Sequence, residues 1–287
     1  SLWPGWPGLK IIPVATRRGG AQWSNDPIDL SGLAGIDARL ALKTPSLQFE
    51  RYVLQNADLS VTLGKGRLSI DKLTGVIFGG ALQATASTTT TARPRIETVI
   101  ALENMSVEQA TRALTGASMA GGKLGLQLNL ATAGGSVASL ISGLNGNGAL
   151  RLKGIDVRQG KTGTMLAGAL GLVSAMNKVS GLFGGGGKSS GKVDISGTFD
   201  IQGGVANTRD MRIVSGLGEG AAAGTVDLPR WRIDVKGNGK LGQNILTALI
   251  SKGTRRNVKQ TVPFAVYGNL DSPSIKLDTS KITGGGL

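Results

Sequence analysis

Few residues in this chain could do chemistry, and their spacing fails each reaction they suggest. Gly184–Lys192 reads GGGGKSSGK. A phosphate-binding loop needs a glycine, four residues and then Gly-Lys-Ser, between a strand and a helix. Counting back from Gly187-Lys188-Ser189 puts Leu182 in the first position, and the segment follows a helical stretch and precedes a strand. The same stretch contains a G-x-S-x-G match (Gly187 to Gly191) and an S-x-x-K match (Ser189 to Lys192), and Lys161-Thr162-Gly163 supplies a K-T-G. A serine nucleophile of the first kind needs a histidine, and the chain has none. The other two elements stand in reversed order with no S-D-N between them. A Gly/Ser/Lys-rich linker accounts for all three matches.

The absences are more informative. Without histidine the chain lacks the commonest general base and the usual zinc ligand. Without cysteine it has neither thiolate nor disulfide chemistry. Of 18 carboxylates, most, such as Asp71, Asp194, Asp200 and Asp234, fall on the polar phase of strands. No calcium loop of the D-x-D-x-D-G kind occurs. The expectation is a chain that is not an enzyme, with no catalytic or metal residues, no cofactor and no small-molecule substrate.

What, then, do the surrounding elements position? Hydrophobic residues make up 40% of the chain, aromatics only 4%, and glycine reaches 46 of 287 residues. This composition suits many short strands joined by tight turns. Alternation of apolar and polar residues recurs along the chain. Leu40-Leu42, Leu59-Val61-Leu63 and Leu68-Ile70 around a Gly64-Lys65-Gly66 turn show it first. It returns in Leu82-Ala84-Ala86, Ile96-Thr98-Ile100-Leu102, Leu124-Leu126-Leu128-Leu130, Leu150-Leu152, Val193-Ile195, Phe199-Ile201, Trp231-Ile233-Val235 and Val262-Phe264-Val266. Such alternation predicts antiparallel strands with one apolar face.

Four helical stripes interrupt it. Ser106 opens the first, with Gln109 three residues on. Val137, Leu140, Ile141 and Leu144 make the second. Met165, Leu172, Met176, Val179 and Phe183 belong to the third, and Leu241, Ile245, Ala248 and Leu249 to the fourth. The predicted class is mainly β with a few amphipathic helices (α+β), a curved antiparallel sheet of many short strands. The predicted organisation is a β-rich region over 1–183 with three helices, a Gly-rich linker over 184–191, and a second β region over 192–287 with one helix. Either the two halves close on each other as a sandwich or part of the aliphatic face stays open as a groove.

The net charge is +14, which suits an anionic partner, nucleic acid or a membrane surface. Nucleic acid is disfavoured, because the few aromatics are not interleaved with basic residues as stacking platforms. A local basic run, Lys252, Arg255, Arg256 and Lys259, is the candidate membrane-surface contact. The uncharged stretch 162–177 is too short and too rich in glycine to span a bilayer. The opening SLWPGWPGLK shows no signal peptide, so the chain reads as a fragment of a longer protein.

Five segments in order carry a resemblance. They are WSNDPIDLSGLAGIDARLAL (23–42), VIFGGALQATAS (76–87), GGSVASLISGLNGNGALRLKGIDVRQ (134–159), GTFDIQGGVANTRDMRIVSGLGEGAAAGTVDLPRWRIDVK (197–236) and VPFAVYGNLDSPSIKLD (262–278). Together they resemble the C-terminal region of the AsmA family of bacterial envelope proteins. The resemblance implies a periplasmic protein, anchored to the inner membrane by a segment preceding this chain, that supports outer-membrane biogenesis. It implies no enzyme, and phospholipid or a membrane surface as partner, with envelope proteins as further partners. The residues expected to contact lipid are Leu124, Leu126, Leu128 and Leu130 on a strand, and Met165, Leu172, Met176, Val179 and Phe183 on the long helix. The alternative is a β-rich envelope scaffold that docks a protein or glycan without lipid.

Overall fold

The alternation is realised as a single ladder. A computed structural model of the chain describes residues 23–49, 52–115, 121–155, 192–215, 218–241, 261–270 and 272–277. Thirteen strands form one open, curved antiparallel sheet whose spatial order is the sequence order. They are β1 (Ala38–Phe49), β2 (Tyr52–Gly64), β3 (Arg67–Ile77), β4 (Gly80–Thr89), β5 (Arg95–Ser106), β6 (Lys123–Ala133) and β7 (Asn145–Ile155). After these come β8 (Val193–Gln202), β9 (Val205–Ser215), β10 (Gly218–Asp227), β11 (Arg232–Leu241), β12 (Thr261–Asn269) and β13 (Ser272–Leu277). Thirteen strands at a spacing of ~4.8 Å make the sheet roughly 58 Å wide. The predicted linker 184–191 lies outside the described residues. The ladder continues across that interval, with β7 paired to β8 from Gly146↔Ile201 to Ile155↔Val193.

Tight turns explain the meander. Lys65 and Gly66 both take positive φ, 52° and 70°, the geometry of the two-residue turn whose twist matches its flanking strands. The four threonines from Thr88 to Thr91 end β4 and begin the next hairpin tip. Two of the four expected helices are described. Helix α1 (Val107–Thr115) caps one end of β5 and β6, and Ser106 accepts the Gln109 N–H at 3.3 Å. Helix α2 (Val137–Ser142) links β6 to β7 and starts with a capping box between Ser136 and Ser139. The third and fourth stripes lie outside the described residues, except that Leu241 is the last residue of β11.

Bulges bend the ladder and shift its phase. Asn56 in β2, Asn104 in β5 and Gly154 in β7 have positive φ, and each sits at a register shift. All three lie toward the same end of the sheet, where an extra residue per strand increases twist and curvature. The Gly154 N–H donates to the Asp194 carboxylate at 2.6 Å. A fourth irregularity, between β8 and β9, is closed by Asp210. Its carboxylate accepts the Thr198 backbone N–H at 2.8 Å and the Thr198 hydroxyl at 2.7 Å.

The opposite end is crossed by residues 23–36. The Trp23 indole N–H donates to the Leu228 carbonyl at 2.9 Å, and its ring meets Trp231 edge-on at 5.5 Å. The segment then passes α2, where Ala138 N–H donates to Ser24 and Ile28 N–H to Gly135. Leu30 N–H reaches Thr91 before the chain turns into β1. This strap ties the C-terminal third of the sheet to its first strands.

The hydrogen bonds from Thr198, backbone first, hold the Asp210 carboxyl below its ordinary value. A lowered folded-state value contributes stability above the unfolded carboxylate range, near ~4, that is lost as pH falls through the lowered value. Asp210→Asn should therefore melt earlier than the parent at pH 7, and the difference should shrink as pH drops below ~4. A pH series of thermal melts on the two proteins measures this.

Candidate functional site

Strand register lets the faces be read directly. One row crosses the whole sheet: Leu40, Val61, Ile70, Ala86, Thr98, Leu130, Gly146, Ile201, Ala206, Val226, Ile233, Gly268 and Pro273. Beside it run Leu42, Leu59, Leu73, Ala84, Ile100, Leu128, Gly148 and Phe199. A third row holds Leu82, Leu102, Leu126 and Leu150. Because cross-strand partners share a face, these rows form one aliphatic surface along the ladder. Gly148 has a specific job there. A Cβ at that position would strike the Phe199 ring, which lies across it.

The surface is sealed at one side and open at the other. In the C-terminal part Ile201 is 5% exposed, and Ile233, 4% exposed, and the fully buried Ile213 form a cluster with Val107, Leu152, Ile155, Val193, Met211, Trp231, Phe264 and Val266. Toward the first strand the covering thins. Leu59, Val61, Leu68, Ile70, Leu82, Ile100 and Leu128 are only half-buried, and Leu40 is 54% exposed. Half-burial here fits side chains in adjacent rows shielding one another, the expected state of a sheet face on which no other described strand is stacked.

All four β6 leucines singled out from the sequence project onto this surface. Leu124 packs at the margin of the sealed cluster, between Met105 and Leu152. Leu126, Leu128 and Leu130 lie beyond that cluster on the half-buried part. Met165, Leu172, Met176, Val179 and Phe183, and the basic run Lys252, Arg255, Arg256 and Lys259, lie outside the described residues. The sequence reading named one strand of the surface and missed its partners Leu42, Leu59, Leu73 and Ile100. Leu42, Leu59 and Ile100 carried the same alternation and Leu73 stands out of phase behind a register shift, but adjacency in every case needs register.

The opposite face is mainly polar, with Val99, Val214 and Tyr267 exposed on it. Asp58 on β2 pairs with Lys72 at 2.6 Å and Lys43 at 3.6 Å. The Lys72 hydrogen bond, aided by both ammonium charges, holds its carboxyl below the usual range. Among the described residues no group of three or more acidic side chains gathers as a metal site, and no helix is long and apolar enough to cross a membrane.

Residues 14–208, more than half of the chain, match the sequence profile of the AsmA family. The chain belongs to the AsmA family. Searches of curated proteins and of solved structures gave no match. Membership associates this AsmA protein with the bacterial envelope, and the single open sheet is the architecture that carries its aliphatic surface.

The open and sealed parts should answer a charge differently. Leu128→Asp, on the half-buried part, should lower stability by only about 1–2 kcal/mol, since its carboxylate can reach water. Ile213→Asp, fully buried, should lower it by several kcal/mol and unfold the domain. Urea unfolding of the two variants provides the comparison.

Proposed function

We propose that this AsmA-family chain handles phospholipid at the cell envelope without altering it chemically. Acyl chains lie along the open aliphatic surface of β1 to β7, and anionic headgroups face the cations at the strand ends, among them Lys65, Arg93 and Arg95. The observation that carries the reading is the unbroken apolar row Leu42, Leu59, Leu73, Ala84, Ile100 and Leu128, half-buried on a sheet with no second layer of strands among the described residues. An exposed apolar surface of this continuity marks a site for an apolar partner. Its repeating, featureless rows suit a flexible hydrocarbon chain better than the specific pockets that a folded protein anchor demands.

A passive role fits the chemistry available. With no histidine and no cysteine, the chain is poorly supplied for acid–base or nucleophilic catalysis. The net charge of +14 favours approach to membranes rich in acidic lipid. The working location is the periplasm, with attachment to the inner membrane through a preceding segment, in service of outer-membrane biogenesis.

Native mass spectrometry after purification in mild detergent tests the reading. Phospholipid should copurify with the parent protein, and Leu128→Asp combined with Ile100→Asp should reduce lipid occupancy at least tenfold with the fold retained. A protein that stays lipid-free, or equal occupancy in the variant, overturns it in favour of a scaffold that docks protein or glycan.

A further inference from the structure

On the polar face, behind the leucines of β6, lies a depression of about 490 Å³. Its lining includes Lys123, Gly125, Gln127, Arg151, Lys153 and Ser196. Register defines the arrangement. Lys123 stands directly opposite Lys153, and Gly125 opposite Arg151, which in turn neighbours Ser196. Like charges directly opposite each other destabilise a ladder. Among the described residues no carboxylate forms an ion pair with any of the three cations. The single acid on the lining, Glu103, leaves the site positive.

Gly125 marks the same place on the sheet. A Cβ built there would meet only the Leu102 carbonyl at 3.7 Å and Arg151 at 3.8 Å, ordinary contact distances, and its φ is not in the left-handed region. Neither backbone nor neighbours require glycine, and glycine in a strand interior weakens the strand. The vacancy instead leaves a floor beside Arg151, in a depression that Lys123 and Lys153 also line.

We propose that this depression binds the phosphate group of a phosphate ester. Three cations supply the charge. Arg151 offers a fork matched to two phosphate oxygens, Lys123 and Lys153 act as point charges on either side, and the Ser196 hydroxyl and Gln127 amide add neutral donors. A bound dianion removes the repulsion between the paired lysines, so occupancy stabilises the sheet. The site is on the other face from the aliphatic surface and does not rest on its lipid role.

Two variants test it in opposite ways, with inorganic phosphate as probe against chloride at constant ionic strength. Lys153→Glu should raise the melting temperature without phosphate, by replacing repulsion with attraction across the ladder, and weaken phosphate binding at least tenfold by calorimetry. Gly125→Leu should fill the floor, keep the fold by circular dichroism, and weaken phosphate binding similarly. Parent-like phosphate binding in both variants, or a parent that does not distinguish phosphate from chloride, overturns the proposal. Vesicles of phosphatidic acid in phosphatidylcholine identify the source. Loss of vesicle binding in step with inorganic phosphate assigns a lipid headgroup; vesicle binding kept while phosphate binding is lost assigns a soluble phosphate ester.

Discussion

A slip of one residue in an antiparallel pairing exchanges its two faces, so the largely apolar row from Leu40 to Pro273, interrupted by Thr98, exists only because every pairing along the sheet keeps phase. The bulges do not break this. At Asn104 the apolar phase passes from Leu102 to Met105, and at Gly154 from Leu152 to Ile155, an extra residue each time, and the apolar side chains stay on one side. One ladder therefore separates two chemistries, hydrocarbon on one face and cations with hydroxyls on the other, through the thickness of a single sheet.

An open sheet must also manage its ends. The last strand is short, six residues with Pro273 and Lys276, and the first carries Pro45 with Arg39 and Lys43. Proline cannot donate to a further strand and lysine resists desolvation, so both edges are poor templates for added strands. The strap from Trp23 supplies closure of another kind, joining β10 and β11 to the early hairpins across one end of the sheet. The core concentrates in the later strands, with Val107 of α1 in the cluster and Trp23 of the strap packed against it.

Much of this was legible in the sequence, because strand alternation is a local signal. The strands carrying Leu59-Val61-Leu63, Ile96 to Leu102 and Leu124 to Leu130 stand where alternation put them. Strands β9 and β10 gave no such signal, for physical reasons. In β9 the irregularity near Asp210 separates Thr208 from Met211 by three residues, so period two is lost. In β10 the run Gly220 to Gly224 contains only glycine and alanine, too small to mark a face by hydropathy although Ala222 is buried. The bond from Trp23 to Leu228 spans 205 residues, and the opposition of Lys123 and Lys153 depends on register. No local pattern announces either. The AsmA resemblance spanned these gaps because ordered motifs carry long-range information that periodicity lacks.

The central claim is that lipid lies on one face of this sheet. Photo-crosslinking from single benzoylphenylalanine replacements at Leu128 and at its neighbour Asn129, which points to the opposite face, tests that most directly. The account predicts a phospholipid adduct from position 128 and none from 129. Equal adducts from both positions, or an adduct from 129 alone, would contradict it.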